Sequence, residues 1–517
     1  MISIGVDVGG TNTDAVLLSG REVVAVCKTP TTTDITEGIE SALADVVRQN
    51  VEAARQAVSV TVGTTHFVNA VVQRQGVNRV AALRICLPAS ASLPPFVDWP
   101  AALREVADGG VYLVAGGYEF DGRPLAPLDE TAVRAAARAM RRDNVTSVAV
   151  SAVFSPLNDA LELRAAVLIH EEHPNARVTL SATIGRIGLL ERENATLLNA
   201  SLLDLADRTA AAFDQARQAS GLKAPLFITQ NDGTIAPVAT ARRYPVFSFA
   251  SGPTNSMRGA AFLSDIDDAL VCDVGGTTTD VGYLHRGFPR EANNVISIGE
   301  VRTAFRMPDV LSIALGGGTH VTLPESFEGS TEIGPLSVGH HLTTQARVFG
   351  GQTLTCTDVA VAAGRAQIGD GALLSNLPSG QVNVAMERID SMIEDAVDRM
   401  KSDAGDVPLI AVGGGAILVP AQLRGISDIV RVPHYDVANA VGAAIAEVSG
   451  EIDRIYQDLP RDDALAQALA GAQENAKAAG ADPSSLRTVE VEDFPLAYMP
   501  GNTLRVRVRV VGPLNHR

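Results

Sequence analysis

The sequence predicts a two-lobed α/β protein with a ligand cleft between the lobes, and three observations carry that prediction. Segments of strand period alternate with segments of helix period along the chain. An octapeptide occurs twice, as Asp7-Val-Gly-Gly-Thr-Asn-Thr-Asp14 and Asp273-Val-Gly-Gly-Thr-Thr-Thr-Asp280, with seven of eight positions identical. The length, 517 residues, exceeds what one hydrophobic core usually supports.

The first strand, Ile2–Val8, breaks at Gly9-Gly10 and resumes at Asp14–Leu18, the pattern of a glycine hairpin. Helices are expected over Ile35–Asn50, Glu130–Arg142, Asp159–Glu172, Leu189–Ser220 and Met386–Ser402, with short strands such as Val145–Val150 and Leu409–Val412 between them. Breaks containing Pro and Gly fall at Leu87–Pro100 and His173–Pro174. The expected division is a lobe over 1–180 with the first turn, a lobe over 181–450 with the second, and a C-terminal segment over 451–517. In that last segment Leu504–Val511 alternates as a strand and is free to dock on either lobe or on another subunit.

A formal net charge of −17 opposes the basic footprint that a nucleic-acid partner requires. No apolar run is long enough to span a bilayer, and the N-terminus lacks the basic region and apolar run of a signal peptide. The four cysteines, Cys27, Cys86, Cys272 and Cys356, show neither disulfide nor metal-ligand spacing. A cytoplasmic, reducing compartment is the expectation.

Paired glycines after a strand let backbone N–H groups face an anion with no side chain between. The repeated turns therefore read as two phosphate grips. Gly9, Gly10, Thr11 and Thr13 belong to the first, and Gly275, Gly276, Thr277 and Thr279 to the second. Asp7 and Asp273 are placed to hold a magnesium ion, Mg2+, directly or through water. A third glycine cluster, Gly413-Gly414-Gly415, follows the strand at Leu409 and offers bare backbone to an adenosine ring. Val437–Ala446 then reads as a helix with a small-residue face, suited to close packing near a nucleotide or hinge.

In this order the elements resemble the nucleotide site shared by actin, sugar kinases and heat-shock chaperones. That resemblance implies the two-lobed actin-like ATPase (ribonuclease H-like) fold, with ATP in the cleft. Further runs are similar to the hydantoinase A/oxoprolinase family: Val62-Gly-Thr-Thr-His-Phe-Val-Asn-Ala70, Gly116-Gly-Tyr-Glu-Phe-Asp-Gly122, Glu191-Arg-Glu-Asn-Ala-Thr-Leu-Leu-Asn-Ala200, Phe227-Ile-Thr-Gln-Asn-Asp-Gly233 and Ala250-Ser-Gly-Pro253. The resemblance implies an ATP-binding A-type subunit of an ATP-dependent hydrolase. Such a subunit activates a small-molecule substrate, a cyclic amide of hydantoin, oxoproline or lactam type, by phosphorylating its oxygen, and commonly works with a hydantoinase B-type partner. Asp7 and Asp273 would then organise the metal during catalysis, and the glycine and threonine groups would stabilise the transferring phosphoryl group.

The chain departs from the family pattern at His340–Gly351, which lacks the usual cysteine and tyrosine, at Gly316-Gly-Gly-Thr-His320, and at His66. A small-molecule kinase, an ATP-dependent carboxylase subunit and a non-enzymatic nucleotide switch are the alternative readings of the same motifs. His66, His320, His340 and His341 form either an acid/base or metal cluster or separate histidines, and His170-Glu-Glu-His173 reads as a solvated helix end. Asn194 and Asn199 face either the interlobe cleft or solvent. Oligomer formation is open.

Overall fold

Strand β1 (Ile2–Val8) is buried along most of its length because helices cover it on both faces. Ile4 and Val6 join a core with Ile39, Leu43 and Val46 of the helix Ile35–Gln49. On the opposite face Gly5 lies against the helix Ala438–Ile445, where a Cβ would come within 2.1 Å of the Ala440 carbonyl oxygen. The computed structural model describes residues 1–31, 35–185, 187–292, 295–324, 330–496 and 501–515.

β1 turns back antiparallel into β2 (Asn12–Ser19) and β3 (Glu22–Pro30), and β4 (Ser59–Thr64) adds parallel to β1. The chain then leaves this sheet to build a smaller parallel one from β5 (Val80–Leu87), β6 (Asp108–Ala115), β7 (Ser147–Ala152) and β8 (Arg177–Leu180). It returns with β9 (Leu226–Thr229), parallel to β4, and β10 (Ile235–Pro237), antiparallel to β9.

The second lobe repeats the opening move. β11 (Ala269–Val274) and β12 (Thr279–His285) form the second glycine hairpin, extended by β13 (Phe288–Pro289). A short hairpin of β14 (Ile296–Ile298) and β15 (Val301–Thr303) reaches across to the first lobe, where Ile298, Val301 and Phe305 pack with Phe67, Trp99 and Leu197. β16 (Val310–Ile313) pairs with β12, and β17 (Thr319–Thr322) with β18 (Glu332–Ser337). β19 (Val407–Val412) lies parallel to β11, and β20 (Ile426–Arg431) parallel to β19.

β21 (Val448–Tyr456), β22 (Arg487–Pro495) and β23 (Leu504–Gly512) then return to the first lobe. β21 pairs with β10, so the first sheet runs β22-β23-β21-β10-β9-β4-β1-β2-β3. The expected strand Leu504–Val511 is therefore docked on the first lobe, and segments on both sides of residues 180 and 450 share one sheet.

Two helix expectations change. The run Leu189–Ser220 is two helices, Leu189–Ser201 and Leu203–Ala219. The Ser201 hydroxyl donates to the Leu198 carbonyl (2.7 Å) and the Asn78 N–H, from a distant segment, donates to the Ser201 carbonyl (2.7 Å), so side-chain and tertiary bonds replace the helical ladder there. The helix expected over Met386–Ser402 instead starts after Pro378 and spans Ser379–Met400, its apolar face extending back through Val382 and Ala385. Glu130–Arg142 forms as expected, with the Asp129 carboxylate accepting the Ala132 N–H at 2.9 Å.

Candidate functional site

The two hairpins share one construction. In each, the aspartate next to last in the strand leading into the glycine turn pairs with the aspartate of the strand leaving it: Asp7 with Asp14, and Asp273 with Asp280. The Gly9 N–H bonds the Asn12 carbonyl (3.0 Å) and the Gly275 N–H bonds the Thr278 carbonyl (2.9 Å). Among the described residues no group accepts the N–H of Gly10, Thr11, Gly276 or Thr277. Each turn thus presents two uncommitted donors, the concavity that binds anions. The turns face each other closely: a Cβ on Gly276 would sit 3.1 Å from the Thr11 side chain.

Glycine recurs wherever an aspartate needs room. A Cβ on Gly63 of β4 would lie 2.4 Å from Asp7 Oδ1, and one on Gly413 would lie 2.2 Å from Asp273 Oδ1. Gly316 backs the second turn, where a Cβ would come 2.6 Å from the Thr277 nitrogen. Gly415 is buried against Val274, whereas Gly414 is exposed and meets only Lys28 Nζ, at 3.9 Å from a Cβ placed there. Of the third cluster, Gly414 is the position at which an added side chain would meet the most open space.

These elements enclose a cleft of about 340 Å³. Asp7, Gly9, Gly10, Thr11, Asp273, Gly275, Gly276, Thr277 and Gly413–Gly415 all line it. Thr13 and Thr279 do not. Both are buried; the Thr279 hydroxyl donates to the Leu315 carbonyl (2.6 Å), and that of Thr13 lies 3.4 Å from the Thr31 hydroxyl. Successive side chains of a strand point to opposite faces, and in each hairpin the next residue, Asp14 or Asp280, takes the cleft face and turns its threonine neighbour away.

Sequence reasoning missed three side chains that arrange the acids. Asn255, from the helix Ser251–Ser264, donates to Asp7 Oδ1 (3.0 Å). Asn439 donates to Asp7 Oδ2 (3.1 Å) and to Asp14 Oδ2 (2.9 Å). Lys28 lies 3.2 Å from Asp14 and donates to the Asp436 carbonyl (2.7 Å), crossing from β3 to the second lobe. A lone asparagine in an otherwise apolar run, Ala438-Asn-Ala-Val-Gly-Ala-Ala-Ile445, was the available signal for Asn439. Asn255 and Lys28 had none.

The cleft is strongly acidic. Asp7, Asp14, Asp273, Asp280 and Asp436 line it, and Lys28 is the one Lys, Arg or His among the described wall residues. Burial pushes the Asp7 carboxyl up to about 6, with Asp14 and Asp273 adding to the rise and Asn255 and Asn439 opposing it. Burial, then the Asp273 charge, pushes Asp280 up to about 7. Asp14 and Asp273 are also raised, by burial first, against Lys28 and Ser256 respectively.

The remaining candidates lie elsewhere. Asn194 and Asn199 face neither cleft nor solvent: both are buried, Asn194 between Trp99 Nε1 (2.8 Å) and the Arg302 carbonyl (3.0 Å), Asn199 on the Arg243 carbonyl (3.0 Å). Their amides fasten the core. The His340 and His341 rings lie 3.8 Å apart between centroids, tilted by 44°, and both residues are exposed. No group of three or more His, Cys, Asp or Glu side chains able to hold a metal occurs among the described residues, these histidines included. His173 is not solvated; it is buried, with Nε2 3.1 Å from the Val145 carbonyl oxygen.

Two hairpin turns facing across a cleft, each followed by a parallel strand and backed by helices, define a protein of the two-lobed actin-like ATPase fold. Residues 3–173 match the hydantoinase/oxoprolinase N-terminal region and residues 192–407 the hydantoinase/oxoprolinase model. The chain belongs to the hydantoinase/oxoprolinase family. It is 28% identical to caprolactamase subunit alpha of Pseudomonas jessenii over 75% of its length and 58% of the relative's. To the acetophenone carboxylase gamma subunit of Aromatoleum aromaticum it is 26% identical over 70% of its length and 53% of the relative's. The chain thus spans little more than half the length of these curated relatives.

The crystal structure of ATP-dependent caprolactamase from Pseudomonas jessenii superposes with a TM-score of 0.78 at 20% identity, covering 99% of this chain and 88% of that one. The nucleotide-free acetone carboxylase structure gives 0.69 at 18%, with the same coverage of 99% and 88%. Both show the same fold. No helix among the described residues is long and apolar enough to cross a membrane.

Proposed function

We propose that the cleft binds magnesium-ATP and that the chain is the ATP-binding A-type subunit of an enzyme that activates a carbonyl compound, with a cyclic amide as the favoured substrate. The observation that carries this reading is the pair of opposed turns with uncommitted N–H groups at Gly10, Thr11, Gly276 and Thr277. They suit the β- and γ-phosphates gripped from two sides, and Gly414 leaves room for the nucleoside.

A polyphosphate entering a cleft lined by Asp7, Asp14, Asp273, Asp280 and Asp436 needs a cation with it. Magnesium keeps several waters and takes one or two carboxylates together with phosphate oxygens. Asp7 and Asp273 fit that demand without a full protein cage. The ion would supply neutralisation of charge developing on the phosphates. Asn255 and Asn439 hold Asp7 in place by donating to both of its oxygens, and Lys28 offers a positive charge to the phosphate side.

Similarity to the caprolactamase subunit supports the amide substrate, and similarity to the acetophenone carboxylase subunit supports a carboxylase as the second reading. Both relatives are named as subunits, which supports a B-type partner. Calorimetry tests the nucleotide site: magnesium-ATP should bind, and Asp7→Ala and Asp273→Ala should each weaken binding at least tenfold in folded protein. Unchanged affinity in both variants would remove the proposed site. Assays of lactams and hydantoins, with and without bicarbonate, separate hydrolase from carboxylase by product.

A further inference from the structure

The smaller parallel sheet carries a cavity of opposite character to the acidic cleft. About 310 Å³ in volume, it is bordered by all four residues of β8. Successive side chains of a strand point to opposite faces, so a cavity that touches four in a row lies along the strand's edge. β8 is the last strand of its sheet, with β7 on one side only. The Arg177 N–H bonds the Thr146 carbonyl, just ahead of β7, at 2.7 Å, which turns the next N–H, that of Val178, toward the open edge.

Across the gap stand the helix Val238–Arg243 and the first turns of the helix Leu203–Ala219. They bring Arg242, Arg243 and Asp207 into one wall with Arg177. Asp207 Oδ1 accepts Arg242 Nε at 2.7 Å, and its Oδ2 lies 2.8 Å from Arg177 Nη1. One carboxylate thus holds two guanidinium groups close together. Asp204, outside the wall, takes Arg177 as well (3.0 Å). Arg243 has no carboxylate partner among the described residues; its guanidinium lies 5.3 Å from the centroid of the Tyr244 ring. Even with Asp204 counted, three arginines meet two carboxylates, and a positive charge is left over on a chain whose net charge is −17.

The neutral wall groups are donors too. The Thr179 hydroxyl accepts the Asn199 amide (3.3 Å) and keeps its own proton to give, and the Tyr244 hydroxyl is uncommitted among the described residues. Both oxygens of Asp207, by contrast, are engaged. The planar fork of a guanidinium matches the paired oxygens of a carboxylate or phosphate, and the bonds it makes to them are charge-assisted. A cation entering here would meet three like charges.

We propose that this edge cavity binds a small oxyanion, a phosphate monoester or a carboxylate, with Arg177, Arg242 and Arg243 as its ligands and Asp207 positioning the first two. Its volume falls at the small end of the range of small-molecule sites. It shares no described wall residue with the acidic cleft and does not depend on the function proposed above.

The test is calorimetry on the full chain with magnesium removed, because the acidic cleft without its cation repels anions. Glycerol 3-phosphate and succinate are the probes, and glycerol is the uncharged control. At least one anion binds one to one, the tighter of the two identifying the preferred oxyanion, and glycerol does not bind. Arg243→Gln, at an exposed position, lowers that affinity tenfold or more and leaves magnesium-ATP affinity within twofold of wild type. Arg424→Gln, at an exposed arginine of the second lobe, leaves the anion affinity unchanged. Failure of both anions to bind at millimolar concentration overturns the proposal, as does wild-type affinity in Arg243→Gln. An equal loss in Arg424→Gln overturns it too, since that would be general attraction to surface charge.

Discussion

Asp280 illustrates the tension that the cleft stores. Its folded pKa of about 7, against an ordinary 3.8, means that the folded chain holds a proton the unfolded chain has released. That contribution to stability is fully present below about pH 4 and is lost as pH rises through about 7. Asp280→Asn, which has no charge to desolvate, should therefore gain stability relative to wild type between pH 5 and 8, by on the order of 2 kcal/mol. Paired thermal melts at pH 5 and 8 check this; a constant difference would show that Asp280 is not strained. Asp7, raised to about 6, should make magnesium-ATP affinity climb from pH 5 to 7 as its carboxylate forms. Lys28→Met should weaken that affinity about tenfold, or ~1.4 kcal/mol, because the wall then has no described cation left.

At the scale of elements, the site depends on two helices meeting without side chains between them. A Cβ on Gly442 would come 1.9 Å from the Asn255 carbonyl oxygen, and one on Gly259 would come 1.8 Å from that of Ala438. Gly442→Val should lower stability by about 3 kcal/mol or more through overpacking and lower ATP affinity too, since Asn255 holds Asp7. Gly414→Val should weaken ATP binding alone, with the melting temperature nearly unchanged. The two variants separate packing glycines from ligand-facing ones, a distinction the sequence did not carry: Gly413, Gly414 and Gly415 look alike as letters. Both hairpins and their aspartates were legible, because a repeated strand-glycine-strand pattern depends on local backbone chemistry. Asn255 and Lys28 were not, since each meets its partner only through long-range packing. Asn194 and Asn199 were misread for the same reason, as a polar helix face can be filled by carbonyls from another segment as well as by solvent.

For the whole molecule, no Ser-His-Asp order stands out in the sequence for hydrolysing an activated amide. Substrate-dependent ATP turnover should therefore be low for the isolated chain and rise at least tenfold on stoichiometric mixing with a B-type partner; full turnover by the chain alone would refute that requirement. A different consequence follows from the return of β21 to the first sheet. During synthesis β1 emerges long before the strand that covers β10, and the nine-stranded sheet is held open while the entire second lobe is translated. Until residue 448 leaves the ribosome, β10 presents an unpaired edge, the kind of surface on which nascent chains associate. Truncations before β21 should accumulate as insoluble aggregates, while nascent chains carried through Gly512 should resist protease, so solubility during translation is decided by a segment that follows the whole second lobe.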